Sequence, residues 1–217
     1  MDTVTICPVV LAGGASRRMG RDKAALQLPG GETLLERALR LLAELRRHVS
    51  ACWLAPRVSG AAAGGLADIG TSRGPVSGLH AVGEALASER DTAAATAQTM
   101  AILAIPVDMP LLAIPPLMQL CHSGMAGNAP ATCFAGLWLP LWLRVDNRTR
   151  DYLKRVVSGE GDASLRQLVH QLGGEQLAVG WSDWQMNINR PAEFDRLLRG
   201  WDTSAREIGA TLEKTDD

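Results

Sequence analysis

Apolar positions along the chain fall into two kinds of run that take turns. Short, continuous, β-branched or leucine-rich runs predict strands buried on both faces, and runs spaced three to four residues apart predict amphipathic helices. Val4 to Leu11 is the first strand run, and Gly13 and Gly14 end it. From Thr33 to Val49, Leu34, Leu35, Ala38, Leu41, Leu42 and Leu45 recur at helical spacing, with arginine and glutamate between them. Val49 to Ala55 reads as a second strand stopped by Pro56, and Gly60 to Gly65 as a loop. Gly74-Pro75 opens a helix over Val76 to Ser88, with proline suited to the first turn. Asp91 to Gln98 reads as a surface excursion.

Thr99 to Val107 is a third strand, with Asp108 just past its carboxyl end. A helix from Pro115 to about Ser123 follows, then strands at Ala131 to Phe134 and Leu137 to Val145. Helices at Thr149 to Val157 and Ser164 to Leu172, a strand at Gln176 to Val179 and a helix from Pro191 to Arg199 complete the pattern. This alternation predicts a single α/β domain with a mostly parallel sheet, helices on both faces and right-handed crossovers. The domain spans residues 1–200, and 201–217 form a polar tail expected to fray. Ligands of such sheets bind beyond the carboxyl ends of the strands. Here those ends carry the Gly13 loop and Asp108.

Composition narrows the function. The 217 residues hold 22 basic and 23 acidic side chains, so the chain lacks the basic excess of a general nucleic-acid binder. The first residues lack a basic start and break into glycine after a short apolar run, which makes a poor signal peptide. The apolar stretches Met100 to Val107 and Gly136 to Leu143 are too short to span a bilayer. The expected setting is therefore cytoplasmic, with no membrane partner. Cys7, Cys52, Cys121 and Cys133 have no CxxC spacing and are expected to be reduced and buried.

Against this neutral background, one segment concentrates charge. Leu11-Ala12-Gly13-Gly14-Ala15-Ser16-Arg17-Arg18-Met19-Gly20-Arg21-Asp22-Lys23 follows a glycine pair with four cations, Arg17, Arg18, Arg21 and Lys23, within seven residues. Glycines let backbone amides approach an anion, and arginine and lysine supply the charge that a triphosphate requires. The loop is neither a P-loop nor GxGxxG. A glycine turn leading into a solvated basic helix is the plainer alternative. Asp108, between an apolar strand and Pro110, is costly to bury and is expected to project at the strand end, where it can hold Mg²⁺. Aspartate is also a common turn starter. Gly74-Pro75-Val76-Ser77-Gly78 offers two glycines at a helix start, suited to ligand approach or to a turn alone. Asn187 and Asn189, before Pro191, can bond a ligand or cap the last helix, and on these residues alone capping is favoured.

These motifs together resemble the molybdenum cofactor guanylyltransferase (MobA-like) family of nucleotidyltransferases over about Val9 to Leu198. The resemblance rests on LAGGASRRMGRDKA (Leu11 to Ala24), GPVSGL (Gly74 to Leu79), PVDMPLL (Pro106 to Leu112) and NINRPAEF (Asn187 to Phe194), with GDASLRQLV (Gly161 to Val169) in support. It implies a Rossmann-like fold, GTP as donor and molybdopterin as acceptor. Leu11, Ala12, Gly13 and Gly14 would bind nucleotide, and Lys23 its phosphates. Arg18 and Lys23 would stabilise leaving pyrophosphate, and Asp108 would bind GTP and Mg²⁺. Asp68 falls near a further GTP-contacting aspartate of the family, at a longer spacing to Gly74. Gly78, Asn187 and Asn189 fall on the acceptor side.

The chain departs from the family in three places. Trp53-Leu54-Ala55-Pro56-Arg57 lacks the asparagine that often ends the second strand of relatives. Val107 stands where cysteine is common. Phe134-Ala135-Gly136-Leu137-Trp138 replaces a segment with histidine and proline.

The expected reaction is transfer of GMP from GTP to the terminal phosphate of molybdopterin. The alternatives are a cytidylyltransferase, another nucleotidyltransferase acting on a related phosphate, and a non-catalytic nucleotide-binding or delivery module. Transient contacts with cofactor-biosynthesis proteins or molybdoenzymes are the expected protein partnerships.

Overall fold

The first strand forms where expected, as β1 (Thr5–Leu11), with every residue buried. A computed structural model describes residues 4–13, 22–60, 65–67, 74–92 and 99–212, for 90–92 and 202–212 by backbone only. After β1 come α1 (Leu34–Leu45), β2 (Cys52–Trp53), β3 (Arg57–Ser59), α2 (Pro75–Thr92), β4 (Met100–Pro106) and α3 (Ile114–Ala126). Then follow β5 (Ala131–Phe134), β6 (Leu137–Arg144), α4 (Asn147–Val157), α5 (Leu165–Leu172), β7 (Glu175–Leu177) and α6 (Pro191–Leu212). Short 3₁₀ turns occupy Lys23–Ala25 and Asp183–Gln185.

Seven strands form one sheet in the order β2-β1-β4-β6-β5-β7, with β3 also paired to β1. The two central strands alternate side chains between its faces, as a period of two requires. Ile6, Val10, Ala101, Leu103 and Ile105 face the cluster that α1, α3 and α6 cover. Cys7, Val9, Leu11, Ile102 and Ala104 face the one that α2, α4 and α5 cover. Burying one such aliphatic side chain stabilises by about 1.5–3 kcal/mol, so the two faces hold the strand ends rigidly. Local signals agree with the packing: Thr33 and Glu36 form a capping box at the start of α1.

Four expectations change. The second strand is shorter than Val49 to Ala55, and after Pro56 the chain pairs with β1 again as β3. Val4 and Ile6 accept from Cys52 and Leu54, and Ala12 donates to Ser59, so even-numbered residues of β1 bond toward this edge. Pro8 lies on that parity and has no N–H to give, and Pro56 lacks one too, so the ladder breaks between them. Next, β6 runs antiparallel to both β4 and β5, because Ala135-Gly136 turns β5 straight back as a hairpin. The sheet is thus mostly parallel but mixed. The backbone of α6 stays helical to Leu212, well beyond Arg199, and the expected fraying tail after Trp201 is helix over this stretch. Alanine, arginine, glutamate and leucine, all good helix formers, make up much of it. The helix α2 likewise runs to Thr92 and takes in the start of the expected excursion.

Cys7, Cys121 and Cys133 are buried, but Cys52 on the edge strand β2 is exposed. Burial pushes the Cys7 and Cys133 thiols up to about 11 and Cys121 to about 12. Among the described residues, no helix is long and apolar enough to cross a membrane.

Candidate functional site

Strands β1, β3, β4, β5 and β7 run the same way, so their carboxyl ends share one edge of the sheet. At the end of β1, Leu11 is buried, Ala12 half-buried and Gly13 exposed. The Val107 amide donates to the Leu11 carbonyl (3.2 Å) and the Ala12 amide to the Ser59 carbonyl (3.0 Å). The Ala12 amide is therefore committed to the fold, and Gly13 is the first residue past the ladder. Gly60, at φ +129°, packs so close that a Cβ there would lie 2.8 Å from the Gly13 nitrogen. This glycine lay in what reads as an ordinary loop; its position directly after β3 was the only signal.

Of the expected phosphate ligands, Gly14, Arg18 and the neighbouring Arg17 and Arg21 lie outside the described residues, as does Asp68. Lys23 is described, and it organises the site. It opens the 3₁₀ turn whose start Asp22 caps by accepting from the Ala24 amide. The Lys23 ammonium donates to Asp108 Oδ2 at 2.7 Å and to Asn189 Oδ1 at 2.9 Å. Lys23 is separated by 85 residues from Asp108 and by 166 from Asn189, so three motifs distant in sequence meet at one nitrogen. Side-chain exposure is 16% for Lys23 and 21% for Asp108. Lys23 is thus no freely solvated loop lysine; it holds a substantially desolvated charge pair at the edge of the sheet.

Asp108 is fixed from two sides. Its carbonyl accepts from the Ile188 amide at 2.9 Å, which straps the segment before α6 across the end of β4. Arg37 of α1 donates through Nε to the Pro110 carbonyl, and its guanidinium lies 5.0 Å from the Trp201 ring of α6. Burial holds the Arg37 pKa below its usual value. In the helical pattern of α1, Arg37 looks like one more solvated charge, so its bracing role was invisible until the fold was assembled.

Asn187 and Asn189 are both exposed on that strap, flanking the fully buried Ile188. The capping role belongs to Glu193 instead: its Oε2 accepts from the Asn189 amide (2.6 Å) and the Arg190 amide (3.0 Å). The Asn189 amide above all, with the Arg190 amide and charge and then Lys23, holds the Glu193 carboxyl below its usual range. The Asn189 side chain is left for Lys23. Gly78, expected on the acceptor side, is buried in α2, where a Cβ would sit 2.0 Å from Ser59 Oγ and 3.5 Å from Leu11. The structure thus gives this glycine a packing reason: it lets α2 press against the ends of β1 and β3.

Among the described residues, no group of three or more histidine, cysteine, aspartate or glutamate side chains gathers to cage a metal. A single carboxylate beside a phosphate site suits Mg²⁺, which commonly takes one or two protein oxygens together with substrate phosphates and water. Asp108 supplies one such carboxylate at the strand ends.

Comparison with known proteins gives the family of the chain. Residues 8–177 match the model of the MobA-like NTP transferase domain. The chain is 33% identical over 194 residues to the molybdenum cofactor guanylyltransferase of Xanthomonas euvesicatoria pv. vesicatoria, covering 88% of this chain and 93% of that one. Its fold is similar to that of the molybdopterin-guanine dinucleotide biosynthesis protein A of Archaeoglobus fulgidus, with a TM-score of 0.60 and 17% identity over 92% of this chain and 99% of that one. A Mycobacterium tuberculosis H37Rv protein solved in complex with manganese shares the fold at a TM-score of 0.53 and 20% identity, covering 91% and 98%. With the end of its first strand, Gly13, Lys23 and Asp108 all inside the matched span, the chain belongs to the MobA-like NTP transferase family and has its nucleotidyltransferase fold.

Proposed function

We propose that this enzyme transfers GMP from GTP to the terminal phosphate of molybdopterin, forming a guanine dinucleotide and pyrophosphate. The observation that carries the reading is the convergence of Lys23, Asp108 and Asn189 at the carboxyl edge beside the glycine turn. The names of its full-length relatives supply the donor and acceptor. A phosphate monoester is largely dianionic near neutral pH, with a second pKa of about 6, so the attacking oxygen needs no general base. That oxygen bonds to the α-phosphorus of GTP while the bond to the bridging oxygen of the β-phosphate breaks, and pyrophosphate carries the electron pair away. Catalysis then reduces to in-line alignment and neutralisation of charge.

Lys23 is held ready for this by two acceptors, and an arriving triphosphate offers its ammonium a stronger one. The Asp108 carboxylate, released from Lys23, faces the same phosphates. A divalent cation on Asp108, which we take to be Mg²⁺, would supply charge neutralisation there when bound. The manganese complex of a fold relative supports divalent-metal use. Arg18 and Gly14 are assigned by motif alone, as pyrophosphate and nucleotide ligands respectively, and Asp68 as a further nucleotide contact. Asn187 and Asn189 are placed on the acceptor side.

A pyrophosphate-release assay with molybdopterin and each of the four nucleoside triphosphates tests this. Release with GTP, abolished by chelating divalent metal, is expected. Preference for CTP would make the chain a cytidylyltransferase, and no release with any triphosphate would leave a binding or delivery module.

A further inference from the structure

The strap from β7 to α6 carries two tryptophans three residues apart that have opposite fates. The Trp184 ring packs edge-on against Phe134 at 5.2 Å and is half-buried. Trp181 is 81% exposed, the one large hydrophobic side chain left in water among the described residues. A single surface apolar residue is unremarkable in general, but tryptophan, the largest apolar surface a residue can offer, is usually mostly covered.

The strap that displays Trp181 is pinned along its length. The Ala135 amide donates to the Leu177 carbonyl (2.9 Å) at its start, and the Ile188 amide to the Asp108 carbonyl (2.9 Å) at its end. Between them Gln185 Nε2 donates to the Gly180 carbonyl at 2.6 Å, closing a small loop around residues 180–185. Trp181 thus sits on an ordered loop.

Its place on the sheet suggests an occupant. Strand β7 is parallel to β5, so the strap leaves it at the same edge that holds Lys23 and Asp108. In strand order, β7 is three positions from β4, about 14 Å at the usual spacing. On the reading above, the triphosphate lies at the ends of β1 and β3, where Gly13 and Gly60 meet. The acceptor phosphate must meet it beside Lys23 and Asp108. An acceptor attacking in line enters opposite the leaving pyrophosphate, which the segment after β1 holds on this reading, and so extends along the ends of β6, β5 and β7 and toward the strap.

We propose that Trp181 is the stacking wall for the flat ring at the far end of the acceptor. This rests on the proposed reaction and adds a specificity residue to it. The acceptor's phosphate is held by charge at one end of the strap, and its pterin, whose pyrimidine ring is planar and conjugated, is held by an aromatic face at the other. Stacking of this kind tolerates detail in the ring and rewards its flatness.

Steady-state kinetics of Trp181→Ala and Trp181→Phe with molybdopterin and GTP test the assignment. The alanine variant should raise the molybdopterin KM by about tenfold. Its GTP KM, and its kcat at saturating acceptor, should be unchanged. The phenylalanine variant should recover most of the loss. Molybdopterin should also quench wild-type tryptophan fluorescence more than that of Trp181→Phe. An unchanged molybdopterin KM in Trp181→Ala, including the case in which Trp181 serves a protein partner, overturns the proposal while leaving the reaction intact. Wild-type protein that transfers no GMP overturns the reaction and this proposal together.

Discussion

Two segments meet at the carboxyl edge of the sheet, and they are built from different materials. The one after β1 is glycine followed by cations, and it approaches its neighbours backbone to backbone at Gly13 and Gly60. The one after β7 is aromatic and amide-rich, and it is tied down by side-chain packing and single hydrogen bonds. The first suits phosphate, which needs directional amides and charge. The second suits a ligand recognised by shape and by neutral hydrogen bonds. They touch through Lys23, which belongs to the first and bonds Asn189 of the second, with Asp108 between them. On the proposed reaction, the difference implies a division of labour between donor and acceptor across one shared ammonium.

The sharpest way to break that comparison is to remove the shared group. Lys23→Ala and Asp108→Ala should each lower turnover by about 10²–10³-fold, the scale seen when a preorganised charge partner is lost. Each should also cost about 1–3 kcal/mol of stability, because the partner is left desolvated and unpaired. Urea unfolding of the double variant separates the two effects. If the pair is both brace and catalyst, removing both groups should destabilise by less than the sum of the singles, with no return of activity. Activity in the double variant near that of wild type would reduce the pair to a structural clamp.

How far the chain announced this arrangement depended on which physical signal carried it. The strand runs and the glycine that ends the first are local, since continuous apolar residues and glycines act where they stand, so β1, its end at Gly13 and β4 were legible. So was Asp108, because a carboxylate cannot follow a buried strand into the core. The reversal at β6 was not, since Ala135-Gly136 gives a turn but apolar alternation says nothing of strand direction. The interruption between β2 and β3 needed the parity of Pro8 on β1. Arg37 and Gly60 act on partners far along the chain, and nothing in their neighbourhoods marks them. Asn189 shows the limit most clearly: a helix cap was the economical reading until Glu193 proved to hold both amides.

A second test addresses how the nucleotide end is built. Gly78 brings α2 against Ser59, and Ser59 accepts from Ala12 at the turn. Gly78→Ala should overpack this buried contact and destabilise by about 1–3 kcal/mol, measured by thermal or urea unfolding. Because the displaced atoms sit behind the glycine turn, the GTP KM should rise and the molybdopterin KM should not. The reverse pattern, a stable variant with impaired acceptor binding, would return Gly78 to direct acceptor contact and move the acceptor site toward α2.

The smallest effect should come from the point where the two segments touch. The Asn189 side chain is exposed and gives Lys23 one neutral acceptor at 2.9 Å, so its loss removes a hydrogen bond worth about 0.5–1.5 kcal/mol. Asn189→Ala should change stability little, since Asp108 still pairs the ammonium and the backbone amide still caps on Glu193. It should raise the molybdopterin KM by about 2–10-fold through the same energy. The GTP KM then tells which side of the division Asn189 serves. An unchanged value places its side chain with the acceptor. An equal rise in both KM values means that Asn189 acts only by positioning Lys23, and in that case Asp108→Asn should raise both KM values together in the same way.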